Sequence, residues 1–83
     1  METRVALIGI IVENPDSIER MNQILHDAGA YIVGRMGIPR VKSNMNVISV
    51  VLDAPEEVIN ALSGKLGMCD GITSKVIMER KKS

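Results

Sequence analysis

The chain has no tryptophan, no phenylalanine and a single tyrosine, Tyr31, among its 83 residues. A sheet that reads RNA by base stacking needs several aromatic rings, so one ring argues against direct nucleic-acid binding. Charge of one sign is also missing. Ten acids balance ten bases, which leaves no general field toward nucleic acid or an anionic membrane. The lone cysteine, Cys69, cannot form an internal disulfide and fits a reducing, cytoplasmic setting. It also has no second cysteine at Cys-x-x-Cys spacing, and redox or metal-transfer chemistry needs that partner or an activating cation, so a spectator thiol is expected. The lone histidine, His26, lies far from Cys69 in sequence. Transition-metal sites want such ligands clustered, so no metal and no other cofactor is expected. The apolar run Val5–Val12 is too short to span a bilayer and carries no small-residue cleavage site, so no membrane partner is expected.

What the chain does contain is a repeat. Val12-Glu13-Asn14-Pro15-Asp16-Ser17-Ile18 aligns with Leu52-Asp53-Ala54-Pro55-Glu56-Glu57-Val58, forty positions on. Each copy follows a β-rich apolar run and leads into an amphipathic stretch that ends in glycine. A strand–turn–helix–strand unit used twice predicts a ferredoxin-like βαββαβ sandwich: an α+β fold with a four-stranded antiparallel sheet and two helices on one face. Residues 1–83 are expected to form this single domain.

The elements follow from periodicity. Arg4–Val12 is the first predicted strand, with Val5, Leu7 and Ile11 on one face and Ala6, Ile8, Ile10 and Val12 on the other. Asn14 caps a helix that Pro15 opens. Ile18, Met21, Leu25 and Ala28 form its apolar stripe, and Gly29 is expected as the C′ residue. His26 then sits near the helix C-terminus, where a cation complements the dipole. Ala30–Ile38 is the second predicted strand, with Ile32, Met36 and Ile38 alternating against Tyr31, Val33 and Arg35. Pro39–Asn44 reads as an irregular hairpin loop, and Asn46–Asp53 as the third strand. A second helix is expected from about Pro55 to Leu66, burying Val58, Ile59, Leu62 and Leu66. Gly64 within it costs on the order of 1 kcal/mol relative to alanine, which a close backbone approach would explain. Ile72–Glu79 is the last strand and Arg80–Ser83 a frayed tail.

The acids Glu13, Asp16, Asp53, Glu56 and Glu57 are all expected at helix starts, where they complement the dipole. That placement removes most of the case for acid–base catalysis, and no catalytic residue is assigned. The acidic Glu13-Asn14-Pro15-Asp16 turn, which would repel phosphate, argues against an acylphosphatase-like anion cradle. The strongest candidate for ligand or partner binding is the end of the second strand and its hairpin: Arg35, Gly37, Arg40 and Asn44. Two arginines offer multidentate donors for a carboxylate or phosphate, and Gly37 permits close approach. Asn14 and Asp16 are the rival surface. Hydrophobic residues make up 46% of the chain, more than one small sandwich can hide. Val5, Leu7, Ile11, Val47 and Val51 are therefore expected at an oligomer interface.

Gly34-Arg35-Met36-Gly37-Ile38-Pro39, Val47–Asp53 and Ile59-Asn60-Ala61-Leu62-Ser63-Gly64-Lys65-Leu66-Gly67 together resemble the iron-only hydrogenase system regulator family. The resemblance spans essentially the whole chain. It implies a fold similar to ACT domains and to the ligand-sensing domain of the nickel-responsive repressor. The repressor's histidine ligands have no counterparts here, and no DNA-binding helical segment is present. The function so implied is a non-enzymatic regulatory or accessory module, a homodimer or homotetramer, that binds a small-molecule effector or a partner protein. A small enzyme with its site across a subunit interface, or a purely structural oligomerisation module, are the alternatives.

Overall fold

A computed structural model describes residues 2–81. Strand β1 (Arg4–Val12) leads through a 3-10 turn (Pro15–Ser17) into helix α1 (Ile18–Asp27). A second 3-10 turn (Gly29–Tyr31) precedes strand β2 (Ile32–Lys42), which turns directly into β3 (Met45–Ala54). Helix α2 (Glu56–Gly67) and strand β4 (Ile72–Met78) complete the repeat. The sheet is antiparallel throughout, in the order β2-β3-β1-β4. Each half is thus a split βαβ unit, and the predicted ferredoxin-like α+β sandwich is the fold. No helix among the described residues is long and apolar enough to cross a membrane.

One sheet face packs under the helices. Ala6, Ile8, Ile10 and Val12 of β1 and Ile48, Val50, Leu52 and Ala54 of β3 are buried against Met21, Ile24 and Leu25 of α1 and Ile59, Leu62 and Leu66 of α2. Side chains alternate across a strand, so the same register turns Val5, Leu7 and Ile11, with Val47 and Val51, to the face without helices. Each fully buried Leu or Ile contributes roughly 1.5–3 kcal/mol relative to exposure. The core is therefore shared between the inward faces of β1 and β3 and the facing stripes of α1 and α2, with Ile72 of β4.

Several expectations are corrected. Ile24, outside the predicted stripe, is buried, whereas Ile18 and Ala28 are only partly so. Gly29 is not a left-handed C′ residue: Ala28 closes α1 and Gly29 opens the following 3-10 turn, which also takes Ala30 and Tyr31 out of the strand. The segment expected as an irregular loop is strand as far as Lys42, with Ser43-Asn44 as a two-residue turn between the paired Lys42 and Met45. Pro39 is tolerated there because β2 is an edge strand, where a missing N–H costs no ladder bond. Asp53 lies within β3 rather than at a helix start. Gly64 is exposed, and a Cβ there would meet nothing within 4 Å, so no part of the chain packs closely on it. The last strand stops at Met78. Arg80 and Lys81 follow without regular structure, and Lys82 and Ser83 of the expected frayed tail lie outside the described residues.

Candidate functional site

The helix-free sheet face is ordered in rows that the register defines. Val51, Leu7 and Ile77 form one apolar row across β3, β1 and β4. Ile38, Val47 and Ile11 form another across β2, β3 and β1. Between them runs Met36, Ser49, Gly9 and Lys75, whose two central members are small. Much of this face is open: Leu7 and Ile11 are each 38% exposed, Ile38 53% and Ile77 69%. Val47 and Val51, at the middle, are half-buried by their neighbours. All five residues expected at an interface lie on this one face. Met36, Ile38 and Ile77 extend the surface beyond the predicted set.

Arg35 is not where simple alternation puts it. A register shift between Ile32 and Gly34 inserts Val33 as an extra residue in β2, and the strand changes face there. Ile32 packs on the core, yet Met36 and Ile38 turn to the open face. Arg35, paired with Val50, comes to the helix side and does not share a face with Tyr31 and Val33 as a strand. Its Nη2 donates to Asn22 Oδ1 of α1 at 3.3 Å. Gly37 follows on the same side, where an added Cβ would touch Ile48 at 3.7 Å. Arg40 and Asn44 belong to the projecting hairpin. At ~3.3 Å per residue the turn lies roughly 25 Å from Arg35. The four candidates are therefore strung out along β2 and its hairpin, Arg35 and Gly37 on the helix side and Arg40 and Asn44 toward the turn, rather than gathered in one cluster.

Both hairpin residues have positive φ, 56° at Arg40 and 60° at Asn44. Asparagine is at home in this conformation and serves the turn. Arginine is not, and Arg40 is held by a hydrogen bond from its N–H to Asn46 Oδ1 at 3.0 Å, in a second irregularity between Ile38 and Lys42. Strain of this kind costs of order 1 kcal/mol or more and concentrates where chains carry function.

The rival surface is occupied by structural work. Asn14 Oδ1 accepts from Asp16 N–H at 3.0 Å, while its Nδ2 donates to Asp70 Oδ2 at 2.9 Å. Buried Ser17 donates to the Asp70 carbonyl at 2.6 Å, and Glu13 N–H to the Gly71 carbonyl at 2.8 Å. These bonds tie the start of α1 to the turn before β4, a link between distant segments that sequence spacing does not announce. Cys69 is half-buried in that turn, its thiol directed at the Lys65 carbonyl at 3.6 Å. At the other end of the sheet Arg4 pairs with Glu56 at 2.8 Å and donates to the Glu79 carbonyl at 2.8 Å, joining β1 to α2 and the exit of β4. Among the described residues no three His, Cys, Asp or Glu side chains come together as metal ligands.

An antiparallel four-stranded sheet, helices on one side and an apolar face on the other, places the chain among small ferredoxin-like α+β modules. Residues 4–76 match the TM1266-like family, provisionally described as iron-only hydrogenase system regulators, and the chain belongs to that family. The solved structure of protein TM1266 from Thermotoga maritima is 32% identical, with a TM-score of 0.89 over 95% of this chain and 100% of that one. More distant structures share the fold alone. CPII, a nitrogen regulatory PII-like protein from Thiomonas intermedia K12 solved with ADP, AMP and bicarbonate, is 16% identical at a TM-score of 0.55, covering 96% of each chain. A formyltetrahydrofolate deformylase from Pseudomonas putida KT2440 is 10% identical at 0.62, with 88% of this chain matching 28% of that one. Among curated proteins no sequence match is found.

Proposed function

We propose that the chain is a homo-oligomeric regulatory module whose copies meet through the helix-free sheet face, with β2 and its hairpin left to capture a small effector or a partner protein. The observation that carries this reading is the open face itself. Its two apolar rows draw side chains from all four strands and leave Leu7, Ile11, Ile38 and Ile77 between 38% and 69% exposed. Contiguous apolar surface on that scale is uncommon on a soluble monomer. A second copy suits the surface on charge as well. Asp53 and Lys75 put both signs on the same face, so the face complements itself, and an electroneutral chain meets its copy without long-range repulsion. Two such faces would stack as packed sheets about 10 Å apart.

The regulatory part of the proposal is supported by family membership. The capture part is supported by two arginines on an edge strand that form no salt bridge among the described residues, one of them in a strained backbone. Sedimentation velocity tests the assembly. The wild-type chain should run as a dimer or larger at micromolar concentration. Leu7→Asp should run as a monomer that keeps its helical circular dichroism, because Leu7 lies outside the helix-side core. A wild-type chain that sediments as a folded monomer would sink the proposal.

A further inference from the structure

We propose that the groove between α1 and the start of β2 binds a small monocarboxylate, with Arg35 as its anchor and Asn22 and His26 beside it. This rests on the capture reading above and names its ligand chemistry. The groove, of about 370 Å³, is lined by Asn22, Leu25, His26, Gly29, Ile32 and Arg35. Asn22 and His26 are four apart on α1 and so share a helix face. Arg35 arrives opposite them only because the Val33 irregularity turns β2 over.

None of the six lining residues carries a carboxylate. Among the described residues Arg35 has a single side-chain hydrogen-bond partner, the Asn22 amide oxygen at 3.3 Å, and a guanidinium has five N–H donors to offer. Its planar fork matches a carboxylate in two parallel hydrogen bonds. Asp27, next to His26 in sequence, accepts from Gln23 at 2.8 Å and lies outside the groove lining. Leu25 and the half-buried Ile32 give the groove an apolar floor, which suits a short aliphatic body behind the charged head. The charge of the ligand follows from the helix. Leu25, His26 and Asp27 are the last residues of α1, whose C-terminal dipole is negative, so a phosphate dianion is disfavoured more than a singly charged carboxylate. Nor does the site offer the run of converging backbone N–H groups that phosphate cradles use.

The test is a ¹⁵N-resolved NMR titration of the full chain with butyrate, at an ionic strength matched by chloride, and in parallel with inorganic phosphate. Saturable shifts at Asn22, His26, Gly29 and Arg35 with butyrate are expected. Arg35→Ala should weaken them by about tenfold or more, as loss of a charge-assisted pair does, and Arg35→Lys should fall in between. Sedimentation of the same samples reads assembly separately, so failure of the groove and failure of the sheet interface are distinguishable. Shifts that never saturate, that persist in Arg35→Ala, or that favour phosphate would overturn the proposal. Saturation confined to residues 40–44 would overturn it too, while leaving capture at the hairpin standing.

Discussion

At the residue scale, two glycines near the end of the second half-repeat separate what the backbone requires from what it tolerates. Gly71 has φ +72°, and a Cβ there would fall 2.5 Å from Asn14 Cβ and 2.9 Å from the Asn14 backbone nitrogen. Neither atom is the far end of a flexible side chain, so the chain itself would have to move. Gly71→Ala should cost about 2–3 kcal/mol, strain and clash together. For a domain of this size that lowers Tm by ten degrees or more. Gly64, in the middle of α2, meets nothing within 4 Å. Gly64→Ala should therefore raise stability by about 1 kcal/mol through helix propensity alone. Thermal denaturation of the two variants checks both signs. A Gly64→Ala chain that melts lower would mean that another copy packs against α2.

At the scale of elements, the junction of β1 with α1 is fixed by one side chain that makes two bonds. Asn14→Ala removes the cap on Asp16 and the bridge to Asp70, and should cost about 1–2 kcal/mol. Asn14→Asp restores the capping oxygen but sets a carboxylate against Asp70, so it should recover only part of the loss. Pairing each variant with Asp70→Ala isolates the bridge: the Asn14→Asp penalty should shrink once Asp70 is gone. A penalty that stays the same would place the whole effect in the cap.

Most elements were legible because their signals are local. The repeated acid-x-Pro-acid segment located both helix starts, and alternation sorted Ile48, Val50 and Leu52 from Val47 and Val51. β2 was legible only in part. Its inserted Val33 resets the alternation, and the one signal for a bulge there is Gly34, since glycine inside a strand often marks one. Simple alternation groups Arg35 with Tyr31 and Val33, and it gives no sign of that arginine's proximity to Asn22. The hairpin was read as a loop because Pro39 normally breaks strands, a rule that an edge position suspends. The tie from Asn14 to Asp70 spans 56 positions and leaves no periodic trace.

At the scale of the molecule, the sandwich has helices on one side of its sheet only. β1 and β3 bury one side against α1 and α2 and present nearly as apolar a surface on the other, so a single copy leaves unused the burial its sequence provides. A chain of this length hides only about 60% of its unfolded surface alone, and association adds to stability by mass action. The melting temperature of the wild-type chain should therefore rise with protein concentration, whereas a true monomer would show none of this dependence. Val51 sits at the middle of the apolar row formed with Leu7 and Ile77. Val51→Asp would place a carboxylate in the proposed contact between copies, and an unpaired charge in such a contact is costly. Because Val51 is half-buried even in one copy, the variant should melt lower at every concentration and lose the concentration dependence as well. Lys75→Ala, which removes one charge from the edge of the same face, should weaken that dependence without abolishing it. If Val51→Asp lowered Tm but left its slope against concentration unchanged, the copies would have to meet elsewhere, and the exposed edge of β2, with Val33 and Val41, would be the next surface to mutate.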